Sequence, residues 1–234
     1  MKKKTALLPV AVAVSALSFV LLMVDVAPVY AQAGQELIGA VTQQMGQSMQ
    51  ALTGYSYQQR TEVQVKGETK SVQLSQVAFG PNRQPMITPL SEEPAEKKEH
   101  GLRGRIKEEK AAEMKEEIQQ LVQLSNNYLM LSQDKMQQLV RQGQALVSPD
   151  SGNVRVEVSG LLQPADHMTM NCDGMMKNRM QVQVQTAAAD GSPVAVTALY
   201  QTLPTGLNYN AQTVIAVPSK GLQITINTLN YQKQ

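Results

Sequence analysis

The side chains best suited to chemistry in this chain lie in one segment, Asp166 to Met180, with the sequence DHMTMNCDGMMKNRM. The segment holds one of the two histidines, the only cysteine and five of the thirteen methionines. Thioether, thiolate and imidazole groups are soft or borderline ligands that suit Cu(I). One hypothesis is therefore a soft-metal site formed by the four donors that lie closest together, His167, Met168, Met170 and Cys172.

Alternation of side chains along a strand gives a different interpretation of the same four residues. If residues 167–172 form a strand, Met168, Met170 and Cys172 point to one face and His167 to the other. Methionine commonly fills irregular core space, and a lone buried cysteine behaves as a small apolar side chain. Because the spacing lacks the specificity of paired CxxC motifs, we expect a packed apolar face here and no metal site.

Catalysis has few candidate residues in this sequence. His100 lies in a charged segment, where a solvated side chain is the ordinary state, and His167 directly follows Asp166. A carboxylate that orients a histidine must face it, which adjacent strand residues do not do. The sequence has no GxSxG, HExxH, P-loop or dinucleotide-binding motif. We therefore expect no catalytic residues, no cofactor and no enzymatic activity.

A second chemical candidate is the basic segment GLRGR, Gly101 to Arg105. Arg103 and Arg105, together with backbone N–H groups just before a predicted helix, could bind an anion such as an acidic lipid headgroup. The alternative is a flexible positive patch flanked by acidic residues. The sequence leaves both interpretations open, so Arg103 and Arg105 are retained as a candidate anion or headgroup patch.

The N-terminus has the three parts of an export signal. Lysines at positions 2–4 are followed by the apolar run Ala6 to Val24 and then by small residues suited to cleavage after Ala31 or Ala33. The apolar run also reaches the lower limit of a membrane anchor. The cleavage sites favour a signal peptide over residues 1–31 and a periplasmic or secreted mature protein without a membrane span.

The mature chain, residues 32–234, has 203 residues and is long enough for a single α+β domain. It keeps 18 of the 21 basic and 18 of the 19 acidic residues, because the signal contains three lysines and Asp25. A net charge near zero gives no electrostatic basis for nucleic-acid binding. Cys172 has no partner for an intramolecular disulfide, and the lack of tryptophan argues against a stacking platform for sugars or bases.

Periodicity divides the mature chain into helical and strand segments. Apolar residues at three- and four-residue steps predict a helix over Glu36 to Leu52 and a helical insertion over residues 106–147, within which Ser132 can cap a second helix. Ser91 to Arg105 is polar and charged, which predicts a linker or mobile loop. Two-residue alternation and turn signals predict strands over residues 55–65, 71–79, 84–90, 154–158, 167–172, 180–185, 194–203, 208–217 and 222–226.

The order of these segments predicts the fold class. Consecutive strands joined by short loops must run antiparallel. One apolar face of the resulting sheet needs a cover, which the helices can supply. We therefore predict an α+β protein in which a curved antiparallel sheet forms an incomplete β-barrel and helices cover its concave face.

Several strings in the sequence resemble exported bacterial proteins without assigned activity, namely QRTEVQVKGE, TPLSEEP, GLRGRI and LPTGLNYNAQTVIAVPSKGLQITINTLNY. In architecture the chain also resembles the periplasmic lipoprotein carriers of the LolA-like class and their RseB-like relatives. The resemblance implies that Glu36 to Leu52 is an opening helix, that Ile106 to Ala145 plugs a half-barrel, and that the final PxxGLxIxI run closes the sheet. A lipid or lipoprotein would then be the ligand.

Three functions remain as hypotheses. The first is a periplasmic binding or carrier protein for an apolar ligand, since a curved sheet lined with methionine, valine and leucine can form an apolar cavity beneath helices. The second is an envelope interaction or sensory module with a filled core, in which Ser91 to Arg105 contacts an envelope protein. The third is the copper-binding protein described above.

Overall fold

Ten strands form one antiparallel sheet in the computed structural model, which describes residues 27–82, 84–94, 102–150, 152–175 and 178–234. The strands are β1 Tyr55–Val65, β2 Glu68–Phe79, β3 Pro85–Pro94, β4 Ala145–Asp150, β5 Asn153–Ser159, β6 His167–Cys172, β7 Arg179–Ala187, β8 Pro193–Thr202, β9 Asn208–Val217 and β10 Leu222–Lys233. Their order across the sheet is β3-β2-β1-β10-β9-β8-β7-β6-β5-β4.

The first and last strands of the chain are neighbours in this sheet. β1 pairs with β10, with Val63 opposite Ile224, and every other pair of neighbours is consecutive in sequence. β3 and β4 are the two edges and do not pair with each other, so the sheet stays open. The predicted α+β class with a curved antiparallel sheet and an incomplete barrel is confirmed.

Three helices accompany the sheet in the described ranges, α1 Ala27–Leu52, α2 Leu102–Leu129 and α3 Gln133–Arg141. Ser132 caps α3 as predicted, because its Oγ accepts a hydrogen bond from the Lys135 N–H at 3.2 Å. Residues 1–26 lie outside the described residues, so the signal peptide stays a prediction. Within the described ranges, no helix has both the length and the apolar character that crossing a bilayer requires.

One apolar cluster fills the space between the helices and one face of the sheet. Paired residues of antiparallel strands point to the same side, and Val182 lies opposite both Met170 and Ala198, all three buried. The helices contribute Ile38, Val41, Leu121, Tyr128, Leu129, Met136 and Leu139 to the same cluster. We call this sheet face, packed against the helices, the covered face.

Ser91 to Arg105, predicted as a loop, has regular structure at both ends. β3 continues through Pro94, paired with β2, and α2 begins at Leu102; residues 95–101, including His100, lie outside the described residues. The prediction was wrong at these ends for two physical reasons. Strand pairing uses backbone groups, so polar side chains suit an edge strand, and arginine, lysine and glutamate are good helix formers.

The helical insertion predicted over residues 106–147 is too long at its C-terminal end. α3 ends at Arg141, and Gly143 has a φ of 71°, which glycine adopts readily after a helix. Ala145–Asp150 then forms β4. The strand was missed because Pro149 argues against a central strand, whereas β4 is an edge strand, where proline is tolerated.

Candidate functional site

The four predicted metal donors lie on two faces of β6. Met168, Met170 and Cys172 are buried in the covered face, and His167 is exposed. Among the described residues, no group of three or more His, Cys, Asp or Glu side chains could hold a metal ion. Burial raises the pKa of the Cys172 thiol to about 11. Met168, Met170 and Cys172 belong to the apolar cluster between the sheet and the helices, the placement that strand alternation predicts for them.

The two predicted anion-binding arginines lie in the first turns of a helix. α2 begins at Leu102, so Arg103 and Arg105 are helical residues and do not belong to a loop that precedes the helix. Their side chains lie outside the described part of the structure. An anion or headgroup patch at Arg103 and Arg105 remains a prediction.

A layer of methionines from three elements lies between the helices and the sheet. Met45 of α1, Met136 of α3, and Met168 and Met170 of β6 line a cavity of only about 10 Å³. Such a volume holds about one water molecule, so side chains fill the apolar interior. Methionine is unbranched and flexible, which makes this layer the part of the core best able to rearrange.

A buried cation in the interior, Arg179 at the start of β7, was not found by sequence analysis. Only 9% of its surface is exposed, and its Cζ lies 4.0 Å from the centroid of the Tyr200 ring. Its Nη1 donates a hydrogen bond to the carbonyl oxygen of Leu129 at 3.3 Å. Burial lowers the pKa of the guanidinium, and Tyr200 and Cys172 oppose this shift. Arginine nevertheless keeps its charge in proteins.

An irregular strand register places Arg179 on the covered face. Asn171 pairs with Gln181 and Cys172 pairs with Arg179, so Met180 is an extra residue in β7. Simple alternation from Val182 would have placed Met180 inside, whereas Met180 is exposed. The strand predicted over residues 180–185 is correct as a strand, but regular alternation within it would place Met180 on the covered face, and this is wrong.

Polar side chains accompany Arg179 beneath α1. The Asn208 amide donates to the Arg179 carbonyl oxygen at 3.1 Å, and the Thr42 hydroxyl donates to the Ile38 carbonyl oxygen at 2.8 Å. Ser48 Oγ is buried without a hydrogen-bond partner among the described residues. Ser48, Asn208 and Arg179 border a second cavity of about 10 Å³. Arg179 thus lies between the Ser48 and Asn208 side chains on one side and the methionine layer on the other.

A second buried charge, Asp166, has hydrogen-bond donors at both carboxylate oxygens. Oδ2 accepts from the Tyr128 hydroxyl at 2.7 Å and from the N–H groups of Leu162 at 3.0 Å and Gln163 at 2.6 Å. Oδ1 accepts from the Thr186 hydroxyl at 2.7 Å. Burial opposes ionisation, but the hydrogen bonds outweigh it and lower the pKa of Asp166. The cluster joins α2 to β7 and to the loop before β6, so we interpret it as structural.

A cleft of about 650 Å³ lies between α2 and the turns at one end of the sheet. Its lining includes the apolar side chains of Leu121 and Leu124. At its rim, Lys220 forms ion pairs with Glu117 and, at 2.7 Å, with Asp190. The Lys220 ammonium donates to Asp190 and lowers the pKa of that carboxyl to about 2. The cleft connects the edge of the core with solvent.

No protein-family profile and no curated protein matches the chain. Three solved structures are similar to it over most of its length. A DUF1329 family protein from Desulfovibrio piger has 10% identity, covers 88% of this chain and 93% of its own, and gives a TM-score of 0.36. A LolA superfamily protein from Nitrosomonas europaea has 7% identity, coverages of 77% and 86%, and a TM-score of 0.32.

The third similar structure is a domain described as an outer membrane lipoprotein-sorting protein from Vibrio parahaemolyticus. It has 10% identity, covers 87% of this chain and 93% of its own, and gives a TM-score of 0.36. The LolA-like resemblance of the sequence is thus also found among solved structures. With identities of 10% or less and TM-scores below 0.5, these likenesses carry no conclusion about ligand or activity.

Proposed function

We propose that the protein is an exported binding or carrier protein that holds an apolar ligand, a lipid or an acyl chain, between its curved sheet and its helices. The observation that supports this most is the methionine layer formed by Met45, Met136, Met168 and Met170. A carrier of acyl chains needs an apolar interior that accepts varied shapes, and methionine side chains provide one. The sheet then acts as a fixed wall and the helices as a movable one.

Binding at this place requires a helix to move, because the cavity of about 10 Å³ is far smaller than an acyl chain. We take α1 as the helix that moves, because its Met45 lines the cavity from one side. Its described buried residues include the polar Thr42 and Ser48 as well as Ile38 and Val41. Displacing this part of α1 therefore exposes polar as well as apolar side chains to water.

Lipid binding by protein purified without detergent tests this proposal. Native mass spectrometry should detect a co-purified lipid, and calorimetry on delipidated protein should show saturable binding of a fatty acid. Met136→Phe, which fills the methionine layer, should weaken that binding, whereas Met130→Phe, at an exposed position in the turn after α2, should not. Absence of co-purified lipid together with no binding of fatty acid or phospholipid contradicts the proposal.

Export is a separate part of the proposal and has its own test. Cleavage after Ala31 or Ala33 would give a mature N-terminus at Gln32 or Gly34 and would remove the first turns of α1. N-terminal sequencing of the protein from the periplasmic or culture fraction should give one of these residues. A chain that keeps residues 1–31 and stays in the cytoplasmic fraction contradicts export.

The filled interior supports a second candidate function, an envelope interaction or sensory module without a small ligand. Both cavities beside Arg179 measure only about 10 Å³, so the core is closed in this structure. The contact surface would then include the charged region 91–105. Replacing residues 95–101 by a Gly-Ser linker of equal length should leave the unfolding midpoint unchanged and remove a cross-link to an envelope protein. Saturable lipid binding by the wild type argues against this candidate.

A further inference from the structure

Arg179 is a buried cation, and no anionic side chain of the described residues forms an ion pair with it. Its described contacts are the Leu129 carbonyl oxygen at 3.3 Å and the side chain of Tyr200, whose ring centroid lies 4.0 Å from Cζ. The ion pairs of the described residues do not include it. A guanidinium has five N–H donors, so several remain available to a ligand.

The burial of this guanidinium is unfavourable unless something compensates for it. Arginine is almost never buried without a partner, because its charge loses hydration in the interior. The Tyr200 ring offsets part of this loss through a cation–π contact, but a ring does not neutralise a full charge. An anionic group that reaches Arg179 would gain a strong interaction there, since electrostatic attraction is greater at low dielectric.

The two spaces beside Arg179 have different neighbours and share one side chain of α1. Methionines, including Met168 and Met170, border one space. Ser48, whose Oγ has no described partner, borders the other. Met45 lines both spaces, as Arg179 does. A movement of α1 that withdraws Met45 would therefore join the space beside the Ser48 hydroxyl to the space beside the methionines, at the guanidinium.

We propose that Arg179 binds the anionic group of an amphiphilic ligand, a carboxylate or phosphate attached to an acyl chain, and that the chain takes the place of Met45 against Met168 and Met170. This inference rests on the proposed function and specifies its ligand class. The planar guanidinium matches both anions through paired N–H donors. Ser48 Oγ, which lacks a partner in the described structure, is placed to donate to the same anion.

The test compares ligands that share a chain and differ in charge. Delipidated mature protein is titrated by calorimetry with palmitate, hexadecyl phosphate and hexadecanol, each at concentrations at which the ligand is monomeric. We expect the two anions to bind at least about tenfold more tightly than the alcohol, the effect of one charge-assisted interaction. Arg179→Met should remove this preference and leave hexadecanol binding within about threefold of the wild type.

Two arginine variants separate binding from folding. Arg155→Met is the matched control, because Arg155 is half-exposed and pairs with Asp150 at 2.7 Å, away from the interior; it should keep the preference for anions. Arg179→Lys keeps the charge but not the paired donors and should give an intermediate preference. If Arg179→Met does not fold, the wild-type comparison and Arg179→Lys still decide the question.

Each outcome leads to a distinct conclusion. Equal binding of palmitate and hexadecanol by the wild type overturns the anion site but leaves the carrier function in place. Failure to bind any of the three ligands overturns both. Competition by inorganic phosphate or acetate alone, at concentrations comparable to those of palmitate, would show that the site binds free anions. It would overturn the proposal that the ligand is an amphiphile. A preference that survives Arg179→Met places the anion elsewhere.

Discussion

Asp166 and Arg179, the two charged side chains buried among the described residues, differ in how completely hydrogen bonds and ion pairs satisfy them. Asp166 is only 2% exposed, and four donors satisfy its two oxygens. Arg179 is paired with no described carboxylate. Removing the partners of a buried ion is strongly destabilising, whereas an ion without a partner is available for binding. We therefore expect substitutions at Asp166 to affect folding first and those at Arg179 to affect ligand preference first.

Asp166→Asn should destabilise the protein by about 3 kcal/mol at pH 7, because hydrogen bonds to charged groups contribute about 1.5–3 kcal/mol each. The asparagine amide places a donor where the Tyr128 or Thr186 hydroxyl donates to Asp166. The pKa of Asp166 is lower in the folded protein than its ordinary value of about 3.9. Its contribution is therefore complete at neutral pH and is lost as the pH falls below about 4. Urea unfolding of both proteins should show their difference shrinking in acid.

Asp150→Asn serves as the control for this substitution. Asp150 pairs with Arg155 at 2.7 Å, and the two side chains are 40% and 42% exposed. Such surface pairs contribute about 0–1 kcal/mol. The urea midpoint of Asp150→Asn should stay close to that of the wild type at every pH. Equal losses in the two variants, or a loss at Asp166 that persists unchanged in acid, would show that the hydrogen-bond cluster is not the cause.

The Cys172 thiol provides a chemical measure of core opening. It is fully buried, and burial raises its pKa to about 11. We expect iodoacetamide at pH 8 to alkylate the folded protein at least about a hundredfold more slowly than the urea-unfolded chain, since reaction needs an exposed thiolate. Mass spectrometry of the carbamidomethyl adduct gives the rate. Fast labelling under native conditions would contradict the placement of Cys172 in a packed core.

At the scale of single elements, two glycines should respond to alanine in opposite directions. Gly46 is exposed within α1, and an added Cβ would meet nothing within 4 Å. Gly46→Ala should therefore stabilise the protein by about 0.5–1 kcal/mol through helix propensity. Gly221, in the turn before β10, has a φ of 60°, and its added Cβ would lie 3.1 Å from Lys66 Cγ. Gly221→Ala should destabilise by about 1 kcal/mol or more, measured by thermal unfolding.

The open edges of the sheet have prolines that limit pairing with other chains. β3 contains Pro85, Pro89 and Pro94, and it exposes apolar side chains, among them Ile87 at 59%. Pro89→Thr should increase concentration-dependent association, because it adds a backbone donor to an exposed apolar edge. Light scattering after size exclusion measures the effect. Adding Ile87→Lys to this variant should restore the monomer, and association unaffected by either change would show that β3 is not the contact.

The sequence predicts elements well where the signal is local. Alternation correctly predicts that His167 and Met168 point to opposite faces of the sheet, and Ser132 caps α3 with its own side chain. Arg179 could not be placed, because its face depends on an extra residue in β7 that only pairing with β6 reveals. The strand β4 was also missed, because a strand that contains Pro149 is tolerated only at the edge of the assembled sheet, and the sequence does not show which strands lie at the edge.

For the whole molecule, the size of the interior is the property least accessible from sequence, because it depends on how side chains from three helices and the sheet interlock. Apolar residues predict that a covered face exists, but they do not say whether it encloses a ligand or fills itself. Here it fills itself, with cavities of about 10 Å³. All strand pairs lie within the sheet, which is open between β3 and β4. A helix can therefore move away from the covered face without breaking a strand pair. A carrier built in this way must move some of its own side chains out of the core to make room for the acyl chain of the ligand.

This exchange predicts that one substitution should weaken folding and strengthen binding at once. Met45→Ala removes the side chain that lines both cavities beside Arg179, so we expect a loss of about 1–2 kcal/mol in stability from a half-buried methionine. The same space becomes available to an acyl chain, so palmitate should bind more tightly to the variant, by calorimetry. Met49→Ala, at an exposed position on the same helix, should change neither property. An interaction module with a permanently filled core would lose stability in Met45→Ala and gain no affinity, so opposite changes in the two measurements favour a carrier.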